Sequence, residues 1–422
     1  MATSGDGPAT TARRRSFARR LLAGNAGMRA LSYRDFRFLT ASGIIAGATY
    51  AGENVALGWV VLEATDSPFM VGLAIGLRHT PRLLLGIPIG ALADRFPRRP
   101  QLAIFGVALT IVALAISGLF WLEAMSLWAL LAFNVALGTG WTAVQALRQS
   151  MAYDIVGPRD MVSGLALTNL AQRLGAVLGG IGVGAVLAAT DPAATYGVIA
   201  AAHVVTVGSA LLIAAEGRAA RIAQESVMRN LLDFLPELSR NGALAALVLL
   251  TAAVEVLGFS VLSLQPTIAR DVLNLEADGL GLIQSVGAVG GAVTVVFLAM
   301  MRLRRRGLVF LSFLLLFGAS LVVLSQSDTL AMVLAVMLVV NAAMAVSDVL
   351  SQGLMQAVVP NQARGRAAGA WQMAIGFGPI GNVHAGAVAA LAGVSVALVA
   401  NGGALFGLAL LALLVSPRLR RL

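Results

Sequence analysis

The sequence predicts an all-α integral membrane protein, with twelve transmembrane helices arranged as two pseudo-symmetric six-helix halves. Three observations carry that expectation: a very apolar composition, the number and length of the apolar segments, and a one-sided distribution of arginine. Across 422 residues the chain is 58% hydrophobic and 12% charged, with mean hydropathy +0.86, far more apolar than a soluble domain. A bilayer-crossing helix needs about 20 mostly apolar residues. The candidate spans are 38–62, 69–92, 101–122, 126–152, 162–189, 194–215, 243–267, 279–301, 308–326, 330–357, 367–391 and 394–415. A β-barrel would show segments of about 10 alternating residues instead, and the sequence has none.

Orientation follows from the basic residues. All 30 are Arg and none is Lys; the plainest reading of that bias is coding in a GC-rich bacterium. Alternating the loops places every extramembrane Arg except Arg270 on one side. That side holds Arg13–Arg37, Arg95–Arg99, Arg159, Arg218–Arg240, Arg302–Arg306, Arg364, Arg366 and Arg418–Arg421. This asymmetry predicts cytoplasmic N- and C-termini in a bacterial inner membrane. The net charge of +10 is thus a topology device. A nucleic-acid partner is not expected, because the bases are spread over every inner loop.

The first residues lack the apolar core of a cleavable signal, since Leu21-Leu22-Ala23-Gly24-Asn25 is short and polar. The expected layout is a cytoplasmic tail (1–35), a six-helix half (36–215), a cytoplasmic linker (216–241), a second half (242–416) and a short tail (417–422). A weak internal repeat supports the two halves. Gly72-Leu73 opens span 2 and Gly281-Leu282 opens span 8; a basic loop follows each; Val156-Gly157-Pro158 and Val358-Val359-Pro360 end the fourth span of each half. Repeated halves are a pattern of transporters. In the linker, Leu231, Leu232, Phe234, Leu235 and Leu238 suggest an amphipathic surface helix.

An ionisable side chain at bilayer depth costs roughly 2.5–3.5 kcal/mol on insertion scales, so it marks a pathway or coupling site by default. Counting about 1.5 Å per residue puts Glu53, Glu255, Arg78 and Arg173 near mid-depth, with Asp348 toward the inner side. Arg82 is one turn from Arg78 on the same face, and Arg148 is close enough to the inner surface to snorkel. Glu53, Arg78 and Arg173 belong to the first half and can neutralise one another. Glu255 and Asp348 have no basic residue at comparable depth in their own half. Low dielectric favours the neutral form of an unpaired carboxylate, which then loads and releases a proton. Glu255 is the first candidate proton carrier, Glu53 the second and Asp348 the third; the plainer reading of Glu255 is a hydrogen-bonded packing residue. Arg78 and Arg173 either attract a polar or anionic substrate group or pair structurally with Glu53.

Between spans 2 and 3 stands Gly90-Ala91-Leu92-Ala93-Asp94-Arg95-Phe96-Pro97-Arg98-Arg99. It resembles the loop motif of the major facilitator superfamily, departing at Pro97, where that family has Gly. Trp59–Ser67 followed by Val71-Gly72-Leu73, Pro266–Leu273, Arg364-Gly365-Arg366 and Gly378-Pro379-Ile380-Gly381 resemble its enterobactin-exporter and macrolide-efflux branch. The resemblance implies a proton-coupled exporter of amphipathic small molecules, drug-like or siderophore-like. It also implies that Asp94 meets the N-terminus of the eleventh helix near Arg366, that Arg95 and Arg98 bridge to Asp154, and that Gly90 allows the close approach; with Arg99 these form a conformational gate. Gly175, Gly179, Gly180, Gly182 and Gly184 either belong to an antiporter motif or serve close helix packing.

With no Cys there is no disulfide or thiolate chemistry. His79, His203 and His384 have no metal spacing, and no nucleotide or hydrolase string is present, so neither an enzyme nor a cofactor is expected. The resemblance places a cavity among spans 1, 4, 7 and 10, with Asn54, Gln145, Gln265 and Asn341 as sparse polar groups, and spans 2, 5, 8 and 11 at the seam. The expected partners are a small-molecule substrate, protons and membrane lipid, acting on a monomer. A lysophospholipid flippase and a non-transporting sensor or binding scaffold are the alternative expectations.

Overall fold

Backbone groups in hydrocarbon must be paired within their own segment, and the apolar segments accordingly fold as helices. The computed structural model describes residues 29–215, 217, 241–301, 303–360 and 364–422. Among the described residues twelve long helices follow one another: α1 (Arg34–Thr65), α2 (Pro68–Arg95), α3 (Arg98–Trp121), α4 (Leu127–Gly157), α5 (Ser163–Ala189) and α6 (Pro192–Leu211). Then come α7 (Gly242–Val272), α8 (Ala277–Met300), α9 (Arg306–Leu324), α10 (Leu330–Ala357), α11 in two pieces (Arg364–Ile375 and Gly378–Ala392) and α12 (Val394–Val415). Among the described residues ten of these are long and apolar enough by themselves to cross a membrane. The other two, α1 and α2, are long but less apolar, because they carry Glu53, Arg78, His79 and Arg82. The linker helix expected over 231–238 and the tail before residue 29 lie outside the described residues.

Punctuation is local. Ser67, Ser126, Asp191, Asn241 and Thr329 each accept a backbone N–H of the first turn that follows them, satisfying donors a helix start leaves free. Gly157, at φ 71° and ψ 178°, breaks α4 from α5, a conformation that favours glycine. Successive helices reverse direction, so both described chain ends lie at one end of the bundle, and the short helix Pro417–Arg421 packs on α9 there.

The halves meet along two seams, α5 on α8 and α2 on the second piece of α11. Both seams tighten at the end opposite the chain termini. A Cβ on Gly386 would come 3.1 Å from the Gly72 Cα, and one on Gly184 would come 3.1 Å from the Gly281 Cα, so backbones touch where only small residues fit. The Ser285 hydroxyl donates to the Val177 carbonyl across the α5–α8 seam at 2.8 Å. Toward the terminus-bearing end the first piece of α11 packs on α10 and the start of α7 rather than on α2. Among the described residues the closest backbone contacts between the halves therefore lie at the far end. The contact expected of Asp94 with the start of α11 falls on side chains outside the described residues.

Candidate functional site

The intramembrane charges separate into two groups. In the first half, α1 presents Glu53 to α2 and α6. Its Oε2 pairs with Arg78, and its Oε1 accepts from His203 Nε2 at 2.7 Å. Arg78 Nη1 also donates to Asn134 Oδ1 at 3.3 Å, and the guanidinium stands over the Tyr50 ring, 5.4 Å from its centroid. Glu53 is 2% exposed and Arg78 1% exposed. Arg78 is thus held by Glu53 inside the first half, because α1 and α2 are adjacent and both side chains are buried among α1, α2, α4 and α6.

Histidines that looked scattered in the sequence join this network. His79 Nδ1 donates to the Ile75 carbonyl at 2.9 Å, which leaves Nε2 to accept from the Tyr50 hydroxyl at 2.8 Å; carbonyl oxygen only accepts, so this tautomer follows. Tyr50 stacks on Trp141 at 4.3 Å between centroids. His203, Asn134, Tyr50 and His79 were not singled out as site residues. Depth was the available signal. At about 1.5 Å per residue, Glu53, Arg78 and His203 all fall about 15–18 Å from the far end of their helices.

The second group lies across the seam. Glu255 sits on a π-helical turn of α7, Val254–Gly258, a local widening that often accompanies function. That turn packs backbone to backbone on α11, because a Cβ on Gly381 would come 2.6 Å from the Val256 Cα. The Glu255 Oε2 reaches Gly378, the first residue of the second piece of α11, where a helix start favours an anion. Glu255 and Asp348 border one narrow cleft together with Val254, Phe259 and Phe310. Among the described residues neither carboxylate makes a hydrogen bond or an ion pair. Asp348 lies in electrostatic range of Arg173 and Arg82, and Glu255 in range of Asp348 and Arg82. The bases in electrostatic range of these acids come from α5 and α2 of the other half, and none comes from their own. Arg173 does not pair with Glu53, and its Nη1 lies against Gly291 of α8.

The remaining expected residues scatter. Gln145 and Gln172 bond to each other across α4 and α5. Asn341 donates to the Met337 carbonyl at 3.0 Å and faces Gly287 of α8. Gln265 is 1% exposed in the closed far end, where α7 meets α1 through Pro266 on Gly58, so it does not border the open side. Asn54 Oδ1 is buried without a partner. Arg148 does not snorkel: it is fully buried and donates to Ser42 Oγ at 3.0 Å and to the Leu39 carbonyl. Those two acceptors on α1 hold it inward.

In the loop motif Arg98 pairs with Asp154, and Arg99 Nη2 donates to the Leu211 carbonyl at 2.7 Å. Arg95 is exposed beside the Phe96 ring, 5.9 Å from its centroid, and does not reach Asp154. The Gly90 and Asp94 side-chain positions lie outside the described residues. Of the α5 glycines, Gly175 and Gly179 press on Ile44 and Ala48 of α1, while Gly180 and Gly184 press on α8. These four lie at close helix contacts, while a Cβ on Gly182 would meet nothing within 4 Å.

The architecture has relatives. The nucleoside transporter NupG superposes with a TM-score of 0.74 at 14% identity, covering 91% of this chain and 99% of that one. A POT family transporter in complex with 5-aminolevulinic acid superposes at 0.76 and 11% identity, covering 92% and 97%. A bacterial homolog of the human lysosomal transporter Spinster, inward-facing and unoccupied, superposes at 0.67 and 14%, covering 92% and 97%. Identities this low carry the fold alone. No curated protein matches this chain. The family model of the Major Facilitator Superfamily matches residues 39–378 and again 248–421. With its twelve helices and two seams, this chain belongs to the Major Facilitator Superfamily, and it is a multi-pass membrane transporter rather than an enzyme.

Proposed function

We propose that this transporter is a proton-coupled exporter of amphipathic small molecules, working by alternating access as its halves, 36–215 and 242–416, rock about a central cavity. Proton coupling rests on one observation above all, the contrast between Glu53 and Glu255. Neutralising Glu53 would strand Arg78 in the interior, an expensive uncompensated charge. Neutralising Glu255 strands no bonded partner, because among the described residues no cation is bonded to it, and it sits at the pliable π-turn beside the break in α11. A group that changes charge in every cycle belongs at the second kind of place. The apolar walls of the cleft, Phe259, Phe310 and Val254, suit amphipathic cargo. The export direction rests on the resemblance of the 59–73, 266–273 and 364–381 segments, and inner-membrane placement with cytoplasmic termini rests on the one-sided arginines.

The test is efflux from proteoliposomes with and without an imposed pH gradient. Glu255→Gln keeps shape and hydrogen-bonding capacity but cannot titrate, and it loses acceleration by the gradient. Glu53→Gln keeps gradient dependence in whatever protein folds. The reverse pattern moves the carrier to Glu53; gradient dependence in both variants leaves Asp348 as the carrier; gradient independence of the unaltered protein removes proton coupling altogether.

A further inference from the structure

At the terminus-bearing end the two halves carry their arginines differently. In the first half acids stand among them: Arg98 pairs with Asp154, Arg29 lies 3.7 Å from Asp160, and Asp35 follows Arg34 on α1. The second half has no acid at that end. Its carboxylates are Glu255 and Asp348 within the membrane and Asp271, Glu276, Asp278 and Asp328 toward the far end. Two arginine triplets of the second half are folded against each other there. The α8–α9 turn carries Arg304 and Arg305 and α9 opens on Arg306, while the short helix Pro417–Arg421 carries Arg418, Arg420 and Arg421. The two segments meet backbone to backbone. The Arg306 N–H donates to the Leu422 carbonyl at 3.2 Å, a Cβ on Gly307 would overlap the Leu419 carbonyl, and Leu419 is fully buried in the joint. Arg420 is half-buried and the other five arginines are exposed. Among the described residues none of the six makes an ion pair or a side-chain hydrogen bond. Placing arginine on one side of a membrane requires no such joint, and like charges gathered without a counter-charge repel. Beside the patch, the last turns of α12 present Leu411, Leu414 and Val415 outward. A partner with negative charge on an apolar body fits both surfaces.

We propose that this joint binds an anionic phospholipid that carries two phosphates. One phosphate lies on Arg304, Arg305 and Arg306, the other on Arg418, Arg420 and Arg421, and the acyl chains run along the last turns of α12. Basic clusters at a membrane surface attract anionic headgroups, and the planar fork of arginine meets phosphate oxygens in pairs. Two triplets on one joint favour a headgroup whose phosphates are tied together, because the second binds at high effective concentration once the first is held. The lipid also offsets the repulsion that opposes docking of 417–421 on α9, so it stabilises the second half. The site is separate from the Glu255 cleft and does not depend on the transport reading.

The experiment titrates the purified, delipidated full chain in detergent with cardiolipin, phosphatidylglycerol and phosphatidylethanolamine of matched acyl chains. Phosphatidylglycerol is added at twice the molar concentration, so that total phosphate equals that of cardiolipin. Bound lipid is read by native mass spectrometry and by the rise in melting temperature. Cardiolipin is expected to bind about tenfold tighter than phosphatidylglycerol, and phosphatidylethanolamine to leave the melting temperature unmoved. Equal binding of cardiolipin and phosphatidylglycerol, or binding of neither, overturns the proposal without recourse to any variant. A rise with inorganic pyrophosphate as large as with cardiolipin overturns the assignment to lipid. Arg304→Gln, Arg305→Gln and Arg306→Gln together bring cardiolipin down to the level of phosphatidylglycerol, and so do Arg418→Gln, Arg420→Gln and Arg421→Gln together. Arg29→Gln, Arg34→Gln and Arg37→Gln together remove as much charge from the same end of the first half and leave the preference intact. An equal loss in that third variant means that surface charge in general holds the lipid, and the joint is then no site.

Discussion

The two halves treat buried charge in opposite ways. In the first half, both Glu53 oxygens are occupied, by Arg78 and by His203, and Arg78 extends to Asn134. In the second half, Glu255 and Asp348 border a cleft with no bonded partner among the described residues, and the bases in electrostatic range belong to the other half. One arrangement is a rigid strut, since each member is held by the others. The other is a set of charges kept apart, so its state changes with whatever enters. A molecule whose halves rock needs both, a stiff body to move and a site whose energy depends on occupancy.

The largest expected effect comes from breaking the strut. Arg78→Ala leaves Glu53 in the interior with only His203 as a partner, and losing one member of a buried pair costs about 3–5 kcal/mol. Thermal unfolding of the purified protein in detergent should show the largest loss for this variant, with part of it regained in the Arg78→Ala, Glu53→Gln double variant because the stranded charge is gone. Glu255→Gln should melt close to the unaltered protein. Should Arg78→Ala melt there too, the distinction between strut and open site fails.

How much of this was legible in the sequence depended on whether the determinant was local. Ten of the helices were legible because about twenty mostly apolar residues in a row need no partner to declare themselves, α1 and α2 less plainly because of their charges, and the seam pairing came with the family resemblance. Which acid met which base was not legible. Glu53 had two candidate partners, and the choice of Arg78 over Arg173 is a matter of rotation of α2 and α5 about their axes, which hydropathy does not encode. The π-turn at Glu255 and its contact with Gly378 depend on α11 pressing Gly381 against Val256, a contact more than a hundred residues apart in sequence. Arg148 was misplaced for the same reason, since its acceptors Ser42 and Leu39 lie on a different helix.

A smaller effect should come from the hinge between strut and site, at the loop motif. Asp94→Asn removes a charge expected to meet the start of α11 when the terminus-bearing end closes. Such helix-end interactions contribute about 0.3–2 kcal/mol, enough to shift a two-state population several-fold. The chain has no cysteine, so pairs of introduced cysteines carry spin labels without background. Distances between labels on the α2–α3 and α10–α11 turns should show a larger parted population in Asp94→Asn. An unchanged distribution removes the clamp and leaves Arg98–Asp154 and Arg99–Leu211 as purely local ties.

The smallest effect should come from the far end, where one residue bridges the halves. Arg270 on α7 donates to the Leu62 carbonyl at 3.1 Å and pairs with Asp66, which caps α1 in a left-handed conformation at φ 50°. It also bonds its neighbour Asp271 at 2.6 Å. It is the one arginine the sequence places on that side, and here it ties the second half to the end of the first helix of the first half. Asp66 is mostly exposed, and exposed ion pairs contribute about 0–1 kcal/mol, so Arg270→Gln should enlarge the far-end-open population by at most about fivefold. Its direction is opposite to that of Asp94→Asn, which makes the two variants a matched pair. Labels on the α1–α2 and α7–α8 turns read the change, and raising the salt concentration should shift the unaltered protein the same way, because exposed charges are screened. If Arg270→Gln leaves those distances unaltered at both low and high salt, closure at the far end is held by the glycine seams alone. Gly72 on Gly386 and Gly184 on Gly281 would then be the places to widen next.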